Sequence, residues 1–514
     1  MIKRSSTAQR LSEPIDRVAI IVIAILSVLI GLLLLSSGHT APRIRDFSWQ
    51  GKQIGAEDTA FLLTFSRPMN HASVENNLRI EPPLAGKFSW AGRRMAYTLT
   101  SPAPYGTDFQ VKLQGARDRF SEPTDTKAQI QPFTETFQTR DRAFVYLGVE
   151  KEEAGRLVFY NLTRQTKQLL TPANLVVMDF EPYPNGDRIL FAASDRTAQA
   201  QGMLDQRLYT VTTGIQVKSP AEPPLANQNT ASPVASTSPQ PAGVIEEILD
   251  SKDYQNLKFD LSPDGQIIIV QRVNRTDPAD FGLWQIKPNQ PPQPLKTEPG
   301  GDFLITPDSQ ALAMAQGQGM AILPLESGAN PLDFLPKFGM TLSFARDGSA
   351  ASMVQFNADP GNPTRSLFVV TNQGTDKELL QTNGSILNAQ FDPTNRVLYC
   401  LITTRLEGDD YLEQPYLSAV NLETAKRTDL LKLPIQRDIQ MSLAPDGLGI
   451  LFDQVITANP EQSSDSGLQS QDGGAIATSA VSQLNFRVDR SEFTSSIIDL
   501  HLPINTPLSV VNIS

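Results

Sequence analysis

From about residue 143 onward, hydrophobic positions fall in short runs, each broken by Pro, Asp, Asn or Gly and answered by a second apolar run. FDLSPDGQIIIVQRV, residues 259 to 273, sets the pattern: an apolar strand, a four-residue turn, another apolar strand. Ser262 opens the turn, Pro263 holds the φ that a type I turn needs, and Gly265 supplies the left-handed residue closing the hairpin. Related hairpins lie at 177–194, 302–316, 342–356, 388–402 and 440–455. The flanks of the Ser262–Gly265 turn, LKFDL and QIIIVQRV, are β-rich and strongly apolar, which suits strands buried on both faces. A third strand and a turn follow each hairpin, as in RLYTVTTG (207–214) and SLFVVTNQG. A further unit of this kind, RLVFYNLTRQTKQLL (156–170), stands before any full hairpin. Turns recur at about 40 to 50 residues once one long insertion is set aside, and four strands at that period predict a β-propeller. One blade cannot bury both faces alone, so the unit must repeat until the ring closes. Seven third-strand units against six hairpins predict seven blades, one assembled from both chain ends; six blades is the alternative.

The repeats resemble the TolB-type propeller family, whose blades carry a Ser-Pro-Asp-Gly turn. Ser262-Pro263-Asp264-Gly265 matches in full and Ala444-Pro445-Asp446-Gly447 nearly so, whereas Arg346 replaces the proline, and Ser309 or Asn395 stands where glycine would. The resemblance implies a WD40-like propeller over about 143–510, whose mouth gathers loops from every blade. Two segments rich in Pro, Ser, Ala and Gln, at 216–244 and 458–480, lack the apolar surface to offset ordering entropy and read as mobile insertions.

Between about 42 and 139 the pattern changes to strict alternation: Met95, Tyr97 and Leu99 in one run, Phe109, Val111 and Leu113 in another. Such strands want one buried face in a two-sheet sandwich. The segment from Phe65 to Leu113 resembles the bacterial Ig-like domain first described in S-layer proteins, on Phe65, Ser66, Pro68, Met69, Asn70, Ser73, Val74, Pro82, Gly86, Phe88 and Trp90. That family supplies spacers and adhesive modules. Trp90 reads as core filler, with ligand stacking the sharper alternative.

Residues 18 to 35, VAIIVIAILSVLIGLLLL, carry no charge. With Ser36 and Ser37 they reach the roughly 20 residues that cross about 30 Å of hydrocarbon. Lys3, Arg4, Arg10 and Arg17 precede the run, so the positive-inside bias expects a cytoplasmic tail over 1–17, a transmembrane helix over 18–37, and the rest outside. A cleaved signal peptide is the rival reading, with GHTA as a poor cleavage site.

The 514 residues carry a formal net charge of -11, and no basic cluster exceeds the pair Arg93-Arg94, so nucleic acid is not an expected partner. The single cysteine, Cys400, rules out an intramolecular disulfide and reads as a small buried hydrophobe rather than a nucleophile. Three histidines, His39, His71 and His501, are too scattered for a metal pair or a triad. No nucleophile elbow or phosphate-binding glycine motif occurs. Acidic pairs Asp409-Asp410 and Glu152-Glu153, and the stretch 357–364, read as solvated loops and turns. Some propellers of this type precede an α/β-hydrolase domain, but here the chain ends within about 15 residues of the last strand.

The expectation is therefore an all-β chain, an Ig-like β-sandwich plus a β-propeller behind one N-terminal transmembrane helix, in a bacterial cell envelope. It is expected to bind a protein or an envelope polymer at the propeller mouth, with no catalytic residue, cofactor or metal assigned. The alternative is a propeller enzyme acting on glycans or peptides through acids that converge in the channel.

Overall fold

The computed structural model describes residues 14–36 and 41–512, apart from breaks at 122–125, 150, 203–204, 216–240, 327–331, 358, 360–362, 409–410, 437–438, 458–476, 488–495 and 506–509. Side chains are described through residue 453, and in the first helix for Val18 and residues 20–30. Residues 1–13 of the expected tail, and most of both expected insertions, lie outside the described residues.

A helix runs over Pro14–Ser36, and each of its described side chains is exposed. Among the described residues, no helix is long and apolar enough to cross a membrane. Beyond two short α-helices, His71–Asn77 and Arg196–Ala200, and two single 3-10 turns, the regular structure among the described residues is strand, arranged in nine four-stranded sheets of which none closes on itself. Contacts divide it into two units: residues 1–52, 60–98 and 109–137, and residues 53–59, 99–108 and 138–514. Two short segments that the alternation assigns to the first domain thus cluster with the second.

In the first unit, one sheet orders Ile44–Phe47, Ala60–Phe65, Arg94–Leu99 and Gly86–Ala91. The other is led by Phe133–Thr139, Asp108–Leu113 and Leu78–Glu81. An aromatic core joins them. Phe47 meets Phe61 at 5.3 Å on its own sheet and Phe133 at 6.0 Å on the facing one, edge to face in both cases. That geometry sets the positive ring edge against the negative face. The Asn70 side chain caps the helix His71–Asn77 by accepting from Ser73 N at 3.0 Å.

The second unit holds seven four-stranded antiparallel sheets in chain order. Blade 2 runs Leu175–Pro182, Arg188–Asp195, Arg207–Thr212 and Ile245–Leu249. Blades 3 to 7 begin at Tyr254–Leu261, Phe303–Ile305, Met340–Phe344, Ile386–Phe391 and Met441–Leu443. Blade 1 takes Ala143–Leu147, Leu157–Asn161 and Thr166–Leu169 from the start of the unit, and its remaining strand, Val510–Asn512, from the chain's end. First strands of successive blades from 3 to 7 approach one another, and that of blade 7 approaches Val510–Asn512. The first strands are therefore innermost.

Alternation explains the all-apolar strands. Ile189 and Phe191 pack on Val145, Leu157 and Phe159 of blade 1, while Leu190 and Ala192 face Phe259, Ile268 and Val270 of blade 3. Ile269 faces blade 4 through Leu312 and Met314. Similar cores join blades 4 and 5, 5 and 6, and 6 and 7. Leu451 of blade 7 then packs with Phe144, Tyr146 and Val158 of blade 1, which completes the circuit. Each strand carries two core faces because the sheet has a neighbour on both sides.

The recurrent turns touch as well. Gly265 (φ +69°) leaves room for Pro184 of the preceding blade's turn: a Cβ there would lie 3.1 Å from Pro184 Cδ. At Gly447 (φ +72°) the same relation holds with Pro393, at 2.8 Å. Ser309 and Asn395, the two departures from glycine, accept the same left-handed backbone at φ 59° and 54°. Each offers its side chain to the preceding blade: Ser309 Oγ accepts from Asp264 N at 3.2 Å, and Asn395 Nδ2 donates to Ser349 Oγ at 3.4 Å. Within the turns, Asp264, Asp308, Asp347 and Asp446 each accept from the backbone N–H two residues on, at 3.0–3.1 Å.

Candidate functional site

The polar groups that stand out lie on the innermost strands, two positions before the turn. There stand Glu181 (blade 2), Asp260 (blade 3) and Gln390 (blade 6). An innermost strand is a sheet edge whose backbone lacks a partner on one side. Each of these side chains reaches across to the next blade and meets that need. Glu181 Oε2 accepts from Leu261 N at 2.8 Å, Asp260 Oδ2 from Ile305 N at 2.5 Å, and Gln390 Oε1 from Leu443 N at 2.8 Å. Gln390 also donates to Met441 O at 3.2 Å. Leu304 and Ser343, at the same position in blades 4 and 5, break the series: leucine has no acceptor, and the short serine pairs with Ser352 of its own blade at 2.9 Å.

Glu181 and Asp260 have acidic company. Asp179 shares the strand of Glu181, Lys258 shares that of Asp260, and Asp302 precedes the first strand of blade 4, where it ion-pairs with Lys258. Asp179 and Asp302 are exposed, whereas Glu181, Lys258 and Asp260 are half-buried. Crowding by protein, which strips water from the charged form, is the largest influence on the acidity of Asp179, Glu181 and Asp260. It pushes the Asp260 carboxyl up to about 6, against the stabilising N–H of Ile305 and the charge of Lys258. It raises Glu181 well above the usual range, helped by the negative charge of Asp260, and it raises Asp179 too.

A β-bulge precedes Glu181, Asp260 and Gln390 in blades 2, 3 and 6, leaving Met178, Leu257 and Leu387 without a cross-strand partner. Their exposures nearly coincide, at 42%, 41% and 41%. Met178 and Leu257 thus stand apolar in solvent on the strands of Glu181 and Asp260, and Leu387 on that of Gln390.

Residues singled out by the sequence do not gather there. Cys400 lies fully buried between blades 5 and 6, and burial pushes its thiol far above the usual range. Trp90 is half-buried: the His71 ring covers one face, 4.1 Å away and 6° from parallel, and its indole N–H donates to Glu75 at 2.9 Å. Glu153 accepts from Tyr146 Oη at 2.9 Å and ion-pairs with Lys167. His39 and Asp409-Asp410 lie outside the described residues, as do parts of 357–364, and for His501 only the strand backbone is described. Among the described residues, no group of three His, Cys, Asp or Glu side chains is placed to hold a metal ion. The acids at 181 and 260 had one signal in the sequence, a carboxylate two places before the hairpin turn at the same offset in two repeats.

Sheet pairing, circuit of cores and repeated turns together define a β-propeller protein. Solved structures with similar chain paths include TolB from Acinetobacter baumannii (14% identity, 70% of this chain and 80% of that one, TM-score 0.38). They also include an oligogalacturonate lyase from Vibrio parahaemolyticus (12% identity, 61% and 87%, TM-score 0.41) and a putative TolB from Agrobacterium tumefaciens (10%, 57% and 90%, TM-score 0.35). No family model matches the chain, and no curated protein does either.

Proposed function

We propose that this is a binding protein of the bacterial envelope. A single N-terminal span holds it to the membrane, an Ig-like spacer follows, and a seven-bladed propeller presents the surface that takes a protein or an envelope polymer. One observation carries the binding reading: bulges on the innermost strands leave Met178, Leu257 and Leu387 apolar and exposed at equivalent positions of three blades, a surface that a partner can cover. The span is supported by the described part of the first helix, where Val18 and residues 20 to 30 are apolar but for Ser27 and all exposed, a surface that water solvates poorly and hydrocarbon accepts.

The enzyme reading retains one supporting feature, the neighbouring carboxyls with raised proton affinity on blades 2 and 3. The deciding experiment incubates the detergent-solubilised full chain with an envelope extract and with envelope glycans. Saturable retention of one partner, with no product released from the glycans, supports binding. Product release that Glu181→Gln abolishes would replace it with catalysis. Extraction of membranes with alkaline carbonate tests the anchor, the chain staying in the pellet if the span is real.

A further inference from the structure

No basic run in the sequence exceeds the pair Arg93-Arg94, yet sheet pairing gathers more arginines around that pair. Ser66, just past the end of the strand Ala60–Phe65, is the meeting point. Its N–H donates to Arg43 O at 2.8 Å, its Oγ accepts from Arg43 N at 2.9 Å, and its carbonyl accepts from Arg93 Nη1 at 3.4 Å. Phe65 N donates to Arg93 O at 2.9 Å, and Thr64 pairs with Arg94. A bulge on Ile44–Phe47 leaves Arg45 without a cross-strand partner beside them. Arg43, Arg45, Arg93 and Arg94 are all exposed, and none has an ion pair among the described residues. The loop after Asp108–Leu113 adds to the same end. Arg119 N donates to Pro68 O at 3.0 Å, and Phe120 stands 76% exposed with the Arg119 guanidinium 5.8 Å from its ring centre. Nearby carboxylates are fewer: Asp118 is buried and paired with Arg67, Glu75 accepts from the Trp90 indole, and Asp46 is exposed in the row of Arg94. Glu122 and Asp125 lie outside the described residues.

Guanidinium groups pair bidentately with phosphate, and an exposed aromatic ring sits well at headgroup depth. Chain length decides which phosphates are near. Arg43 is the seventh residue after Ser36, the end of the apolar helix, so even a fully extended link keeps it within about 25 Å of that end. We propose that this end of the sandwich docks on the membrane surface, its arginines on anionic lipid phosphates and Phe120 at headgroup level. Docking rests on the reading of residues 18–37 as a span, which holds the patch at high effective concentration over the lipid. Each arginine near a charged surface adds to the attraction, and salt screens it.

The test attaches a polarity-sensitive dye to the full chain at Ala91→Cys, an exposed position beside the arginine pair; the native Cys400 is buried and stays unlabelled. The labelled chain is placed in nanodiscs of neutral phosphatidylcholine, or of phosphatidylcholine mixed with phosphatidylglycerol. Emission should shift to the blue in the anionic discs only, and return in about 1 M salt, where charges are screened beyond roughly 3 Å. Arg93→Glu/Arg94→Glu should abolish the shift. Arg43→Glu/Arg45→Glu should do the same from another strand, which keeps the test alive if the first variant misfolds. Equal shifts in both discs, or a shift that the variants keep, would overturn the proposal. So would reversal by inorganic phosphate but not by chloride of equal ionic strength, or a response to a soluble anionic wall polymer with none to anionic lipid. Flotation reads the span separately. A chain that floats with neutral vesicles but gives no shift in anionic discs keeps the span and loses the patch. One that floats only with anionic vesicles, and stops doing so in the arginine variants, loses the span and keeps the patch.

Discussion

The guanidinium of Arg142 donates to the carboxylate of Asp446, 304 residues further along the chain. Arg142 immediately precedes the first contributed strand of blade 1, and Asp446 sits in the hairpin turn of blade 7. The contact therefore ties the two blades where the circuit closes. The Asp446 side chain is fully buried and that of Arg142 is 19% exposed.

Removing one partner of such a pair leaves an uncompensated charge out of water, at a cost of about 3–5 kcal/mol. Arg142→Ala should fall near the lower end, because water reaches part of the site. Asp446→Asn should cost less, since its amide oxygen still accepts from Leu448 N. Denaturant unfolding of the two variants checks the order; losses below about 1 kcal/mol in both would mean that the charge pair contributes little.

Closure also depends on the last strand. Val510 and Val511 pair with Tyr146 and Val145. A chain ending at residue 505 should leave that inner edge unpaired, and hydrogen exchange at residues 144 to 146 should accelerate by at least tenfold, about 1.4 kcal/mol of lost protection.

Two glycine variants separate backbone strain from crowding. Gly374 (φ +76°) has open space where a Cβ would go, whereas at Gly447 a Cβ would lie 2.8 Å from Pro393. Gly374→Ala should cost about 1 kcal/mol, the strain of a left-handed alanine. Gly447→Ala should cost clearly more, since the turn of blade 6 must give way; unfolding midpoints measure the difference.

Cys400 should be inert while the protein is folded. Burial raises its thiol, so the reactive thiolate is scarce at neutral pH and no reagent reaches it. A colorimetric thiol assay should give no signal on the native protein and one thiol per chain in denaturant.

Much of this molecule is written in short stretches of chain. The Ser262–Gly265 turn, its relatives and their doubly apolar flanks are local features, decided by φ preferences and by which side chains water rejects, so blades are legible one at a time. The roles of Ser309 and Asn395 follow locally too, as small polar residues able to adopt the conformation glycine takes more easily. What neighbouring residues could not decide is what stands on the far side of a sheet edge. Glu181 and Asp260 look like stray acids until the next blade brings Leu261 N and Ile305 N to them, and only the stacking of blades brings Asp260 near Glu181. Arg142 and Asp446 likewise met through the ring's return to its beginning. Electrostatic repulsion and hydrogen bonding act over a few ångströms of space, and between residues far apart in sequence only the tertiary structure fixes that distance.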